Sequence, residues 1–528
     1  MLPLSLFAAS YASAFWIVLP DPQLSENRPV LETLQSSKND SPTESEPEDA
    51  PSSGSSAGES ESEGESASEE EAEDVPLNEI FYPTEMRPLP GRLDDVPVFN
   101  SNSPEVVLEE GILLSTFPPA DKAHPEAHLD YAFEGRFDIF THHIARARTR
   151  EQTRTLFQGI LLHNSTARTV RVEVLHGASY LTRPDALFVE LPDYVDDRIG
   201  TVYSGPGSRA TNDVLRGKRQ GNWPAVLELK PGESRMLMNL PIPVGRVIPS
   251  SNGRSTLMRL FSDGPVYVAC LAMFSPQNSD NTERIPTEEE WQQLLQTADR
   301  AGPRDLEPTP LDRIYDVERA IYSRVAGVAI GSRWEAQLVD RGKIEEEDPP
   351  QLTVPEPGRS FSYGLSTLHR GRLGTEQIQS AQLVRRYPDT AYYAHGNYGI
   401  EYNLTLPLFN PSNNSRKVSL LFQTPVKQDR IDGGLTFFDP PENRVFFRGL
   451  VRLQYNDDAN VPQTRYVHLV QRRGQVGNSL VTLDIAPRDR RLVRVDFIYP
   501  PDSTPPQVLT VQTEPRESET WPSNDRED

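Results

Sequence analysis

Nine histidines and a single cysteine bound the chemistry open to this 528-residue chain. A metal site needs ligands that converge. His142 and His143 lie in the alternating run FDIFTHHIAR, and neighbours on a strand point to opposite faces, so they do not chelate one ion. His124 and His128 have the i, i+4 spacing of a helical site, but PPADKAHPEAH is broken by prolines and is not expected to be a helix. Cys270 sits in the apolar run VYVACLAMF, which suits a packed structural thiol better than a nucleophile. Being alone, it excludes an intramolecular disulfide and any cysteine-based metal cage. No metal and no cofactor is expected.

Nucleophile and phosphate motifs are equally weak. The one Gly-x-Ser-x-Gly match, Gly54 to Gly58 around Ser56, lies in a Gly/Ser-rich tract without the strand and helix that such an elbow requires. Gly205-Pro206-Gly207-Ser208 lacks the Gly-Lys-Ser/Thr that completes a phosphate loop, and its proline removes an amide. A tight surface loop is expected there. Asn456, Asp458 and Asn460 have calcium-loop spacing without the glycine or the distal glutamate, which favours a hairpin turn. The pairs Asp94-Asp95 and Asp196-Asp197 are of the type used in acid/base work, yet sequence does not say which carboxylates face each other. No catalytic residue is therefore assigned.

One segment stands apart. RRYPDTAYYAHGNYGIEY gathers Arg386, Tyr387, Tyr392, Tyr393, His395, Asn397 and Tyr398 in a short span. Tyrosines beside asparagine, histidine, arginine and glycine suit a sugar- or protein-binding surface, because flat rings give contact area at low entropic cost. These are the candidate binding residues. The plainer account is that the rings pack a β core.

The elements that must position such groups are mainly strands. The 48 prolines are well above the usual share, which favours many short strands joined by turns over long helices. In TVRVEVL, Val170, Val172 and Val174 face one side and Arg171 and Glu173 the other, the alternation of a half-buried strand. The strongest architectural signal is an internal repeat: LELKPGESRMLMNLPI at 227–242 is echoed at equal length by LDIAPRDRRLVRVDFI at 483–498. Each copy reads as a strand, a proline turn and a strand. Each follows a matched element, GILLHNSTARTVRVEV or LPLFNPSNNSRKVSLLF, in which an asparagine ends an apolar strand.

The repeat predicts a mainly β protein of two antiparallel, Ig/fibronectin-like β-sandwich domains, over 80–275 and 321–513. A helical bridge is expected between them, over 276–320. There IPTEEEWQQLLQTAD offers Thr287 as N-cap and Glu290 to complete a capping box, with Trp291, Leu294, Leu295 and Ala298 on one face. LDRIYDVERAIY is a candidate for a second, shorter helix.

The flanks are different in kind. Residues 24–78 are rich in Ser, Glu, Gly and Pro and cannot bury enough apolar surface to offset ordering, so they are expected to be disordered, as is the acidic tail at 514–528. Fourteen carboxylates between Asp40 and Asp74 account for about half of the net charge of −24. No basic stripe with interleaved aromatics appears, which argues against nucleic acid as a partner. The opening MLPLSLFAASYASAFWIVLP carries no charge before Asp21, and Ala12-Ser13-Ala14 has the small-x-small pattern that signal peptidase reads. Residues 1–20 are expected to be a signal peptide, with an N-terminal anchor or a buried apolar arm as alternatives. No other window approaches membrane-spanning length.

VPVFNSNSPEVV, GRFDIFTHHIAR, YSGPGSRATNDVLRGKRQ, SYGLSTLHRG, RRYPDTAYYAHGNYG and RYVHLVQRRGQ resemble an uncharacterised family of large exported proteins of cyanobacteria, known only as a domain of unknown function. The resemblance spans about residues 89 to 513. It implies a cyanobacterial source and a periplasmic or cell-envelope location, and it brings no activity, cofactor or catalytic residue. The expected function is that of a non-enzymatic exported envelope protein with a structural or binding role toward a protein or glycan partner. An envelope enzyme acting on polysaccharide, with carboxylates assembled from distant strands, is one alternative. A cytoplasmic or thylakoid-associated scaffold is another.

Overall fold

Period-two alternation builds most of the body. In the strand Glu401–Phe409, Tyr402, Leu404, Leu406 and Leu408 are buried while Asn403, Thr405 and Pro407 are half-buried, as for a sheet with one face on a core. A computed structural model of the chain describes residues 77–340 and 349–516. The expected leader, the acidic segment up to residue 76 and the tail from 517 lie outside the described residues.

The described residues are mainly β, with four sheets and two α-helices, Pro206–Leu215 and Glu288–Thr297. In the largest sheet, of eleven strands, the central strand is Ser250–Phe274. Its first part pairs with Phe133–Ala147 and Val170–Leu181, and its last part with Gly111–Ser115 and Leu156–His163. The register breaks between Ser262 and Val266, where Asp263, Gly264 and Pro265 interrupt the ladder. Phe137, Ile139 and Val172 from the first part meet Leu162, Val268 and Cys270 from the second in one core. A second core draws Tyr402, Leu404, Val495 and Phe497 from an eight-stranded sheet together with Leu420, Phe422 and Val511 from a five-stranded one.

The repeat is reproduced in the pairing. Leu156–His163 pairs with Ser234–Ile242 and Val170–Leu181 with Val226–Leu229. In the second copy Glu401–Phe409 pairs with Arg490–Ile498 and Arg416–Gln423 with Ser479–Ile485. The register is the same in both: Leu227 lies opposite Val172 as Leu483 lies opposite Val418, and Ser234 opposite His163 as Arg490 opposite Phe409.

The sheets nevertheless share strands across residues 276–320. Val325–Ile330 and Ala381–Arg386 extend the eleven-stranded sheet beyond Pro97–Val106. In the other direction Asn78–Pro83 pairs with Gly434–Asp439, Glu85–Arg87 with Ser360–Leu365, and Tyr194–Asp196 with Pro462–Arg472. Apart from Asn78–Pro83 with Gly434–Asp439, which form a two-stranded sheet of their own, each exchange covers a sheet edge that would otherwise present unpaired amides and carbonyls. All described residues belong to one compact unit.

The helices depart from the sequence reading in two places. Glu288–Thr297 begins as read, with the Thr287 hydroxyl accepting from the Glu290 amide (3.3 Å) and the Glu290 carboxylate accepting from the Thr287 amide (2.8 Å). Trp291 on its inner face is fully buried against Gly159, where a Cβ would stand 3.0 Å from the indole. The expected second helix is instead one 3-10 turn, Leu311–Arg313. Its carbonyls are diverted, because the Arg370 guanidinium donates to the oxygens of Ile314 and Val317 that a helix would use internally.

Conversely, Gly205-Pro206-Gly207-Ser208 is not a surface loop but the start of the buried helix Pro206–Leu215. Proline in the first turn loses an amide that has no intrahelical partner anyway. The amides of Gly207 and Ser208 donate to the Asp502 carboxyl (3.1 and 3.3 Å), whose pKa burial raises, so a side chain of this same protein caps the helix N-terminus. No helix among the described residues is long and apolar enough to cross a membrane.

Candidate functional site: a polar cleft

The candidate residues of the segment 386–398 divide by burial. Tyr387 is wholly buried, its hydroxyl donating to the Ala127 carbonyl (2.8 Å) and accepting from the Ser115 amide (3.0 Å). Asn397 is also buried, at φ 52°, and its side chain joins the Ala381 amide, the Gln379 carbonyl and the Tyr402 hydroxyl. Tyr398 donates to the Ser503 carbonyl at 2.7 Å. These three hold loops to the core. Arg386 stacks on Tyr392, 4.0 Å above the ring, and donates to the carbonyls of Tyr387, Pro388 and Thr390. Tyr393 and His395 are half-buried and meet a third ring, His369, at 5.1 and 6.3 Å. The segment is thus not one continuous surface.

The other residues singled out by type also find places. His142 bonds Ser255 and His143 bonds Ser101 on opposite faces of their strand. His124 comes together with Glu126 and Asp299, the ligand atoms within 4.8 Å of one another on the surface. That grouping was hidden from sequence because Asp299 is remote. Cys270 is fully buried and accepts from the Gln158 amide at 3.2 Å, and burial pushes its thiol up to about 12.

A different set of residues forms a cleft of about 280 Å³ on the outer face of the eight-stranded sheet. Register builds it. Glu335, Asn403, Asp496 and Arg452 lie directly across four neighbouring strands, and Arg494 lies opposite Thr405 and Gln454 in the next row. Asn403 is the link: its amide nitrogen donates to Glu401 Oε1 at 3.0 Å and to Asp496 Oδ1 at 2.7 Å. The two carboxylates therefore converge on one group. Arg452 Nε donates to the far oxygen of Asp496 at 2.9 Å.

Glu401 is covered from the other side of the chain. Arg259, on the central strand Ser250–Phe274, reaches its Oε2 at 2.5 Å, and Arg333 stands at 3.5 Å. Burial alone would push the Glu401 carboxyl up, but Arg259 and Arg333 outweigh it and hold the group below the usual carboxylate range. Behind Arg259, register places Asp138 and His176 across from it on the two adjacent strands. Burial keeps the Asp138 carboxyl above its ordinary value despite Arg136 and Arg259. Asn403 Oδ1, Arg259 Nε, Asp138 Oδ2 and His176 Nδ1 are buried without a hydrogen-bond partner among the described residues. So dense a group of unsatisfied polar atoms calls for a partner that the described residues do not supply.

Chemically the cleft suits hydrogen bonding more than proton transfer. Retaining glycosidases hold two carboxyls about 5–5.5 Å apart, and one of them must keep its proton near neutral pH. Glu401 is held ionised by two arginines, which removes it as the proton donor of such a pair. At the rim, Arg494 and Glu335 are exposed.

A family model, Protein of unknown function (DUF3370), matches residues 84–513, which takes in both cores and the cleft. The chain belongs to that family. No curated protein matches the sequence of this DUF3370 member. Among solved structures, two variants of Bacillus subtilis oxalate decarboxylase each align over 78% of this chain and 78% of their own, at 9% and 10% identity. Their TM-scores are 0.09 and 0.08, too low to say anything about the fold or chemistry of this DUF3370 chain.

Proposed function

We propose that this DUF3370 protein is a non-enzymatic binding protein whose cleft takes a hydroxyl-rich ligand, a glycan chain. The observation that carries this reading is the Glu401–Asn403–Asp496 bridge. Ionised carboxylates accept two or more hydrogen bonds each and an amide both donates and accepts, which is the inventory that sugar hydroxyls require. Ligand sites also favour places where separate parts of a chain meet, as Arg259 meets Glu401 here. On this reading the paired sheets form two related β-sandwiches that exchange strands, an exported envelope protein with its cleft between them and the medium.

Calorimetric titration of the purified chain with neutral and acidic oligosaccharides tests it. Arg494→Ala removes a rim cation without touching the bridge and is expected to weaken binding about tenfold, the scale of one lost charge-assisted hydrogen bond. Binding unchanged in Arg494→Ala, or no binding by any oligosaccharide, ends the reading. Export is tested separately by fractionation with N-terminal sequencing, where an intact Met1 in the cytosol favours the scaffold alternative.

The converging carboxylates favour one second reading, a polysaccharide-cleaving enzyme. It predicts reducing ends released from oligosaccharide by the wild type and none by Glu401→Gln.

A further inference from the structure

Four segments distant in sequence bring an amine and two imidazoles together between tyrosine rings. His395 lies 4.3 Å from the ring of Tyr322 and 6.3 Å from that of His369, and His369 lies 5.1 Å from Tyr393. The Lys427 ammonium stands 5.9 Å from the Tyr322 ring. Its stem crosses Gly371, where φ is 101° and a Cβ would come within 2.7 Å of the lysine Cε. Only glycine leaves that path open.

The charges around this cluster are already engaged. Asp429 accepts from the amides of Gly371 (2.6 Å) and Arg372 (3.3 Å), Arg370 donates to main-chain carbonyls, and Arg372 pairs with Glu376. Among the described residues Lys427 has neither a hydrogen bond nor an ion pair. The Nδ1 atoms of His369 and His395 are buried and unpartnered, and His369 as a whole is 7% exposed. Burial keeps both imidazoles neutral at pH 7 and lowers the Lys427 amine to about 8, which leaves it mostly charged there. The cluster is one cation and two neutral rings, each ring with an N–H to donate.

We propose that Lys427, His369 and His395 form a binding site for a small oxyanion, the carboxylate, phosphate or sulfate group of a ligand, walled by Tyr322 and Tyr393. Asp429 opposes the charge of Lys427 and Arg370 adds to it, so a metal cation would still meet net positive charge, and an apolar group would leave three polar side chains unsatisfied. An oxyanion supplies acceptors that suit an ammonium and imidazole N–H groups alike. This site is separate from the cleft, and neither depends on the other.

The test titrates the full chain with inorganic phosphate, sulfate and acetate in turn. Two signals are read: the imidazole nitrogen resonances of His369 and His395, and the rate at which an amine-selective reagent modifies Lys427. Saturable shifts with protection of Lys427 are expected, with affinity falling about tenfold or more in Lys427→Met and staying within a few-fold in Lys427→Arg. A response to phosphate and sulfate alone specifies a tetrahedral group, and a response to acetate a carboxylate. Non-saturating shifts, or equal affinity in Lys427→Met, overturn the proposal. Should Lys427→Met fail to fold, wild-type labelling decides: a Lys427 modified equally fast with and without every anion rules the site out.

Discussion

Asn164 and Asn410 hold the same place in the two copies of the repeat and make the same bonds. Each side-chain amide donates to three carbonyls: Arg168, Leu229 and Lys230 in one copy, Asn414, Ile485 and Ala486 in the other. Each side-chain oxygen accepts from an amide and a hydroxyl two residues on, those of Thr166 and of Ser412. Each backbone carbonyl accepts from the turn, from Gly232 at 2.9 Å or from Arg488 at 3.0 Å. A buried asparagine thus closes the strand, proline turn and strand in both halves. Asn164→Ala and Asn410→Ala are each expected to cost roughly 2–4 kcal/mol, because in each copy one buried carbonyl and two part-buried ones lose this donor. Denaturant midpoints check this, and since the two networks share no partner the double mutant is expected to lose close to the sum.

Trp291 fixes the segment that joins the halves. Its indole is fully buried over Gly159 and Met236, yet its Nε1 has no partner among the described residues, so its contribution is one of volume and apolar area. Trp291→Ala is expected to cost about 3–5 kcal/mol and Trp291→Phe clearly less, since the latter keeps most of the packing and loses no hydrogen bond. Thermal unfolding of the two variants separates these outcomes. A Phe variant as unstable as the Ala variant would point to a polar role instead.

What sequence made legible was local. The repeat and the Thr287–Glu290 capping box depend on neighbours within a few residues, and both appear as read. The helix Pro206–Leu215 was missed because a proline counted against a phosphate loop also fits a helix start. The segment 386–398 revealed its residue types but not their facing, and so Tyr387 and Asn397, wholly buried, looked the same as half-buried Tyr393. The cleft was invisible for a deeper reason. Glu335, Asn403, Arg452 and Asp496 are ordinary outward positions on alternating strands, and only the register across four strands makes them a row. Arg259 joins from the far half of the chain.

Cys270 is expected to behave as a core residue. With its thiol pushed up to about 12 and fully buried, the native protein should react with disulfide reagents only as fast as the surrounding strands open. Full and rapid labelling in denaturant is the control. Native labelling at the denatured rate would mean that the core around Gln158 and Cys270 is accessible.

Glu401 links stability to pH with a definite sign. Its folded-state value is depressed, with Arg259 and Arg333 overcoming the effect of burial. A depressed carboxylate contributes stability that is present above its unfolded value, about 4.3, and is lost as pH falls through the folded one. Glu401→Gln breaks a buried pair and strands Arg259, so a loss of roughly 3–5 kcal/mol is expected at pH 7. The gap to wild type should narrow as pH falls below the unfolded value and through the depressed folded one, where the wild-type carboxylate also takes up a proton. Asp138 works the other way: burial raises its value, so its ionisation weakens the fold as pH rises through that value. Denaturation profiles of wild type and Glu401→Gln between acid and neutral pH distinguish the two contributions. A gap that stays constant with pH would mean that Glu401 acts through packing and not through its charge.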